Sequence, residues 1–115
     1  EVVDPINLNE TISVLMNAIS HPEPAVVICR HMCPVQAQRL RRKKNHPPLP
    51  LFVVDPTRCR GCGLCLAELG CPALFWDEDQ SIIRIDEAQC RGCGLCAQLC
   101  PADAIFLKTR KEVAI

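Results

Sequence analysis

The segment CRGCGLC occurs twice in this chain of 115 residues, at residues 59–65 and again at residues 90–96. Each copy is followed by a Cys-Pro pair, first at residues 71–72 and then at residues 100–101. The repeat contains eight of the ten cysteines, so it constrains the fold more than any other feature. Glycines between the cysteines let the backbone turn tightly and point its amides at sulfur. The repeat therefore predicts two similar sites that are built from thiolates.

The spacing of the cysteines favours [4Fe–4S] clusters over other thiol chemistry. The two runs are C-x2-C-x2-C-x5-C-P and C-x2-C-x2-C-x3-C-P, and such triplets can hold three corners of an iron–sulfur cube. Disulfides need an oxidising compartment and a geometry that these triplets satisfy poorly. Zinc sites usually combine pairs of C-x2-C knuckles, and unliganded thiols have no reason to repeat. These three alternatives stay open, and we expect two [4Fe–4S] clusters.

Composition excludes several classes of protein. Aromatic residues are only 3% of the chain, so an ordinary core would lack large side chains and we expect the clusters to fill the centre of a small domain. The formal net charge of +0 argues against a generic nucleic-acid binder. The longest apolar runs are too short to cross a bilayer, and no signal peptide is visible. We therefore expect a cytoplasmic protein without a membrane span.

Charge divides the chain into three parts. Residues 1–28 have a net charge of −4, residues 29–50 one of +6 and residues 51–115 one of −2. In the first part, Asn9 is a plausible N-cap for a helix with apolar residues at helical spacing. The β-branched run at residues 25–29 then predicts a strand. The acidic start and the basic middle are thus expected to be structurally different.

A proline-rich stretch at residues 45–50 predicts an extended linker. We therefore expect two domains, residues 1–46 with a helix, a strand and a basic arm, and residues 47–115 with the cysteine repeat. The first has too little apolar surface to fold alone. It is expected to pack on a partner.

Two features lie outside the repeat. One is a basic run that is either a solvated helix face or a docking site for an acidic partner; nucleic acid is a weaker alternative because no aromatic residues interleave with the charges. Its members are Arg39, Arg41, Arg42, Lys43 and Lys44. The other is the pair Cys29 and Cys33, which we interpret as ordinary thiols, although a third metal or redox site is an alternative.

The doubled CRGCGLC with its Cys-Pro pairs resembles the bacterial two-[4Fe–4S] ferredoxins over about residues 51–110. The resemblance implies an α+β, pseudo-twofold fold in which the fourth cysteine of each run ligates the other cluster. Cluster A would then be held by Cys59, Cys62, Cys65 and Cys100, and cluster B by Cys90, Cys93, Cys96 and Cys71. The x5 spacer before Cys71 departs from the usual x3, so we expect a longer helix or loop around residues 66–70.

The flanking segments narrow the resemblance. PAVVICRHMCPV, VVDPTRCRGCGLC, LGCPAL and IDEAQCRGCGLCAQLCP together resemble the C-terminal end of the α subunit of indolepyruvate ferredoxin oxidoreductase. That family consists of thiamine-diphosphate-dependent 2-oxoacid oxidoreductases of anaerobic metabolism. Residues 1–33 resemble the last helix and strand of its thiamine-binding domain. Because no Gly-Asp-Gly followed by Asn is present, thiamine diphosphate and Mg are expected only on a partner chain or an upstream domain.

The resemblance implies that this chain is the non-catalytic, electron-transfer part of such an oxidoreductase. Its partners would be a catalytic thiamine-dependent subunit and an external ferredoxin that accepts the electrons. The cysteines are expected to be ligands and not nucleophiles, so no catalytic residue is assigned. The alternative is a free-standing ferredoxin that shuttles electrons between enzymes, although such a carrier does not need the first 46 residues.

Overall fold

The computed structural model describes residues 1–108 and divides into two compact units, one from Glu1 to Cys33 and one that begins at Pro34. The basic segment belongs by its contacts to the second unit. The boundary expected between residues 46 and 47 stays a prediction, and residues 109–115 of the expected second domain lie outside the described part. Within that part, no helix is long and apolar enough to cross a membrane.

The first unit contains strand β1 (Val2–Val3), helix α1 (Leu8–Ser20) and strand β2 (Ile28–Cys29). The strands pair in parallel, with Val2 opposite Ile28. The predicted N-cap Asn9 is wrong, because Asn7 has the extended backbone of a cap and its side chain accepts the Glu10 N–H at 3.4 Å. Asn9 already lies within the first turn.

The apolar face that was predicted for α1 is largely open in this unit. Leu15 is 41% exposed, Met16 58% and Ile19 77%. Of the helix, only Val14 is buried, and the strand residue Val3 is buried as well. A helix that exposes its apolar stripe gains little from folding alone.

The second unit begins with the basic helix α2 (Pro34–Lys43). Proline suits the first helical position because an N–H there would have no partner within the helix, so its absence costs nothing. Basic residues in the last turn complement the helix dipole. The proline-rich stretch then returns along α2. Arg41 Nε donates to the Pro47 carbonyl at 2.7 Å, and Leu49 N–H donates to Gln38 Oε1 at 3.1 Å. The expected linker is therefore held against the helix.

Each copy of the cysteine repeat lies in a strand–helix–strand segment. The elements of the first copy are β3 (Phe52–Val54), α3 (Leu64–Leu69) and β4 (Leu74–Asp77). Those of the second copy are β5 (Ile82–Ile85), α4 (Leu95–Leu99) and β6 (Ile105–Leu107). The antiparallel pairs are β3 with β6 and β4 with β5, so each pair joins one copy to the other. The predicted α+β class is confirmed.

The core of the second unit combines apolar side chains with cysteines. Its buried members are Cys65, Leu74, Ile83, Cys96 and Ile105. The expected lengthening before Cys71 is also present, since α3 has 6 residues against 5 in α4 and ends on a left-handed Gly70 with φ 60°. Cys65 lies on α3 and Cys96 on α4, so each helix contributes one cysteine to the same core.

Candidate iron–sulfur centres

An aspartate opens each cysteine run. The Asp55 carbonyl accepts the Cys59 N–H at 3.0 Å, and the Asp86 carbonyl accepts the Cys90 N–H at 2.9 Å. The Asp55 side chain also accepts from the Thr57 hydroxyl and N–H, and the hydroxyl contributes most to lowering the pKa of Asp55. An aspartate stands four residues before the first cysteine of each run. Its role in forming a turn was missed in the sequence, because a turn is recognised only from its backbone hydrogen bonds.

Close backbone packing explains one glycine in each run. Gly61 has φ +68°, and a Cβ there would clash with the carbonyl oxygen of Ser81. Gly92 has φ +73° and lies in the same way against the Pro50 carbonyl. A side chain would therefore push the ligand loop away from the β4–β5 turn at Gly61, or from the segment before β3 at Gly92.

One cavity joins cysteines from both runs. Its lining includes Cys59, Cys62 and Cys65 from the first run and Cys100 from the second. The Ala104 N–H donates to Cys100 Sγ at 3.3 Å, which is the amide–sulfur contact that stabilises a ligating thiolate. Four soft thiolate donors around one space form a donor set that suits an iron–sulfur cube.

The remaining predicted ligands lie in the same unit. Cys90 and Cys93 are half-buried and Cys96 is buried. Cys71 is half-buried and packs against the core cluster that contains Cys96. Around Cys71 the structure shows packing, and its assignment to the second set stays a prediction.

Burial controls the protonation of the two helical cysteines. It raises the pKa of Cys96 to about 11, and the neighbouring thiols of Cys93 and Cys90 add to the effect. Burial likewise raises the pKa of Cys65, with further contributions from Cys100 and Cys62. As free thiols both are therefore protonated at neutral pH, and a metal that binds them must displace a proton.

The arrangement differs from that of a mononuclear metal site. Within residues 1–108, no group of three His, Cys, Asp or Glu side chains converges on a point where a single ion could bind. In a [4Fe–4S] cube each cysteine binds a different iron, so its four sulfurs surround the cluster and do not meet at one ion. The spread of the thiols is thus compatible with the predicted clusters.

The lining of this cavity does not include Cys29, Cys33 or the basic run. Cys29 and Cys33 are exposed in the first unit, and between them His31 pairs with Asp4 at 3.0 Å. Trp76 is 41% exposed, and its ring lies 3.3 Å from where a Cβ on Gly61 would be. The basic residues lie on or directly after α2, where Arg41 is half-buried and Arg39, Arg42, Lys43 and Lys44 are exposed.

Known proteins match this chain in its cysteine region and along most of its length. Residues 83–106 match the family described as 4Fe-4S binding domain. The indolepyruvate oxidoreductase subunit IorA of Pyrococcus abyssi is 37% identical over 111 residues, which is 96% of this chain and 17% of that subunit. These matches confirm the predicted resemblance. The IorA subunit of Methanothermobacter marburgensis is 36% identical over 105 residues, 91% of this chain and 16% of that subunit.

The chain thus spans about 17% of the length of the curated relatives that it matches. The match of residues 83–106 to a 4Fe-4S binding domain supports a role in electron transfer through such clusters.

Proposed function

We propose that this chain transfers electrons through two [4Fe–4S] clusters as a subunit or domain of a 2-oxoacid:ferredoxin oxidoreductase. Cluster A is held by Cys59, Cys62, Cys65 and Cys100, and cluster B by Cys90, Cys93, Cys96 and Cys71. The observation that carries this proposal is the cavity whose lining combines three cysteines of the first run with Cys100 of the second. Two halves related by a pseudo-twofold axis would exchange their fourth ligands in this way.

Each bound cluster would supply one reversible one-electron site. The protein's own groups tune it, because the Ala104 N–H donates to Cys100 Sγ and the burial of Cys65 and Cys96 lowers the local dielectric constant. Amide–sulfur hydrogen bonds favour the reduced, more negative state, whereas burial disfavours it. These two effects set how readily each site accepts an electron.

The catalytic step belongs elsewhere in this proposal. The relatives are named indolepyruvate oxidoreductase subunits and are much longer than this chain, so we place thiamine diphosphate and Mg on a partner chain or another domain. The exposed apolar face of α1, with Met16 and Ile19, supports the proposal that the helix–strand part of residues 1–46 packs on that partner. A free-standing carrier has no use for such a face.

Two further parts of the proposal concern the surroundings of the chain. An external ferredoxin or similar carrier accepts the electrons, and the basic run from Arg39 to Lys44 docks an acidic partner. A cytoplasmic location agrees with the need to keep cluster ligands as free thiols until iron binds.

Pairs of ligand substitutions test the cluster function and the crossed ligation together. In Cys59→Ala/Cys100→Ala both changes remove ligands of cluster A, so we expect about four irons per chain and uptake of one electron. In Cys90→Ala/Cys100→Ala each change removes a ligand of a different cluster, so both clusters are lost. Iron analysis and anaerobic reductive titration of the full chain measure this.

The matched control is Cys29→Ala/Cys33→Ala, which leaves both runs intact and should retain about eight irons. If the fourth cysteines were not exchanged, the order would reverse. Cys90→Ala/Cys100→Ala would then keep one cluster and Cys59→Ala/Cys100→Ala would keep none.

A further inference from the structure

A large groove lies beside the second cysteine run. It has a volume of about 1020 Å³ and is bounded by α2, the proline-rich stretch, the turn before Cys90 and the end of β6. Cys90 itself is part of the lining. The groove lies entirely within the second unit. It therefore brings solvent, and anything dissolved in it, close to one predicted cluster ligand.

The groove is strongly basic. Its charged lining consists of four bases, Arg41, Arg42, Arg91 and Lys108, and one acid, Glu87, which gives a net charge of +3. Lys108 forms an ion pair with Glu87. The three arginines form no ion pair with a carboxylate within residues 1–108 and thus provide the positive potential of the groove.

The outer part of α2 extends this positive surface. Arg39, Lys43 and Lys44 are exposed on the same helix or directly after it. Within residues 1–108, no ion pair joins any base between Arg39 and Lys44 to a carboxylate. Their charges are therefore available to a partner from outside the described chain, and at close range they would attract an acidic surface.

The first cysteine run has different surroundings. The cavity around Cys59, Cys62, Cys65 and Cys100 has one charged lining residue, Arg60, and its other lining is mostly apolar. Arg60 is the counterpart of Arg91 in the repeated CRGCGLC. The repeated arginine thus lines a mostly apolar cavity in the first copy and a basic groove in the second, so the two runs have different electrostatic surroundings.

We propose that this groove docks an acidic one-electron carrier protein and that electrons leave the chain from the site at Cys90. This rests on the proposed function, because it needs a cluster there. Each encounter passes one electron from that site to the carrier, whose centre is reduced as the site is oxidised, and no bond is made or broken. The groove bases also offset the charge of about −2 that four thiolates and an oxidised cluster carry together, which would otherwise repel an acidic carrier.

Matched charge reversals test the docking surface. Arg42→Glu/Arg91→Glu changes the groove, and Arg30→Glu/Arg58→Glu makes the same net change at exposed residues outside its lining. The probe is a plant-type [2Fe–2S] ferredoxin of net negative charge, with cytochrome c of net positive charge as the reversed probe. Binding to the reconstituted full chain is measured by titration calorimetry at low ionic strength.

We expect the groove variant to weaken ferredoxin binding at least about tenfold and the control variant less than about twofold, with the difference shrinking as salt is added. Equal weakening by both variants would overturn the proposal. So would tighter binding of cytochrome c than of ferredoxin, or tighter binding of a DNA duplex to the same groove. If the glutamate variant does not assemble clusters, Arg42→Gln/Arg91→Gln replaces it.

A second readout tests the exit site. Stopped-flow mixing of the reduced chain with the oxidised ferredoxin should give a near-wild-type second-order rate constant for Cys59→Ala/Cys100→Ala, which keeps the site at Cys90. Cys71→Ala/Cys90→Ala should lower it at least about tenfold, because the remaining site lies outside the groove. The opposite order would overturn the exit assignment.

Iron and sulfide content distinguishes a failure of the proposed function from a failure of the docking groove alone. A wild-type chain that assembles no [4Fe–4S] cluster contradicts the proposed function itself. A chain that assembles both clusters, but whose two arginine variants bind ferredoxin alike, contradicts only the docking groove.

Discussion

Gly61 and Gly63 have nearly the same backbone conformation, with φ of +68° and +69°, but different surroundings. A Cβ on Gly61 would clash with the Ser81 carbonyl, whereas a Cβ on Gly63 would meet nothing within 4 Å. The sequence repeat shows that both glycines recur, and it does not show which of them is held by packing. That difference depends on where residue 81 lies in the fold.

Alanine substitutions separate conformational strain from packing at these glycines. Gly63→Ala should cost only the left-handed conformation, about 1–2 kcal/mol. Gly61→Ala should cost the same conformational strain and a backbone shift in addition. We therefore expect its clusters to bleach in guanidinium roughly tenfold faster than those of Gly63→Ala, equivalent to about 1.4 kcal/mol. Absorbance decay of the two variants measures this, and equal rates would contradict the packing argument.

Residue-level prediction from the sequence succeeded where a pattern is local. The cysteine runs and their glycines are defined by spacing, and they lie in matching loop and helix positions. The cap of α1 was misassigned because Asn7 and Asn9 are chemically alike. Which of them caps the helix depends on the backbone that enters it, where Asn7 is extended.

At the scale of elements, the β4–β5 hairpin is stabilised by hydrogen bonds to one carboxylate, that of Asp77. Asp77 Oδ2 accepts from Arg84 Nε at 2.5 Å, while its other oxygen accepts the N–H groups of Asp79 and Gln80. The hydrogen bond to Arg84 contributes most to lowering the pKa of Asp77. The sequence alone does not show this contact, because the pairing across the hairpin that brings Arg84 close is set by strand register.

Asp77→Asn tests this contact through its pH dependence. The pKa of Asp77 is lower in the folded chain than the ordinary 3.8, so its stabilising effect is complete above 3.8 and is lost as pH falls through the folded value. We expect the variant to lose its clusters faster than wild type by a constant ratio from about pH 8 to about pH 5, and the ratio to approach one below pH 3.8.

The matched control for that change is Glu78→Gln, which removes one negative charge from the same turn without touching Arg84. Its rate of cluster loss should stay close to that of wild type throughout the pH range. A ratio that disappears already near pH 6, or an equal effect of Glu78→Gln, would contradict the role given to the Asp77–Arg84 pair.

At the scale of the whole molecule, the main feature is that the two copies of the repeat pair their strands with each other and line one cavity together. Strand β3 pairs with β6 and β4 with β5, and one cavity takes cysteines from both copies. The α+β class followed from the ferredoxin resemblance that the repeat carries, and the assignment of two cluster sites stays a prediction. The return of the proline-rich stretch along α2 and the groove beside Cys90 were not, because they depend on contacts between distant residues such as Arg41 and Pro47.

The net charge is also a property of the whole chain, and it changes when clusters bind. The formal value is +0, but two oxidised clusters with their thiolates would add about −4. The holo chain would then be an acidic electron carrier with one basic surface, formed by α2 and the groove. This contrast favours oriented encounters with a partner.

Above all, we propose that eight cysteines hold two [4Fe–4S] clusters. The most direct test is to measure iron, acid-labile sulfide and zinc per chain after anaerobic reconstitution of these 115 residues. We expect about eight irons and about eight sulfides with negligible zinc. Stoichiometric zinc without labile sulfide would contradict it.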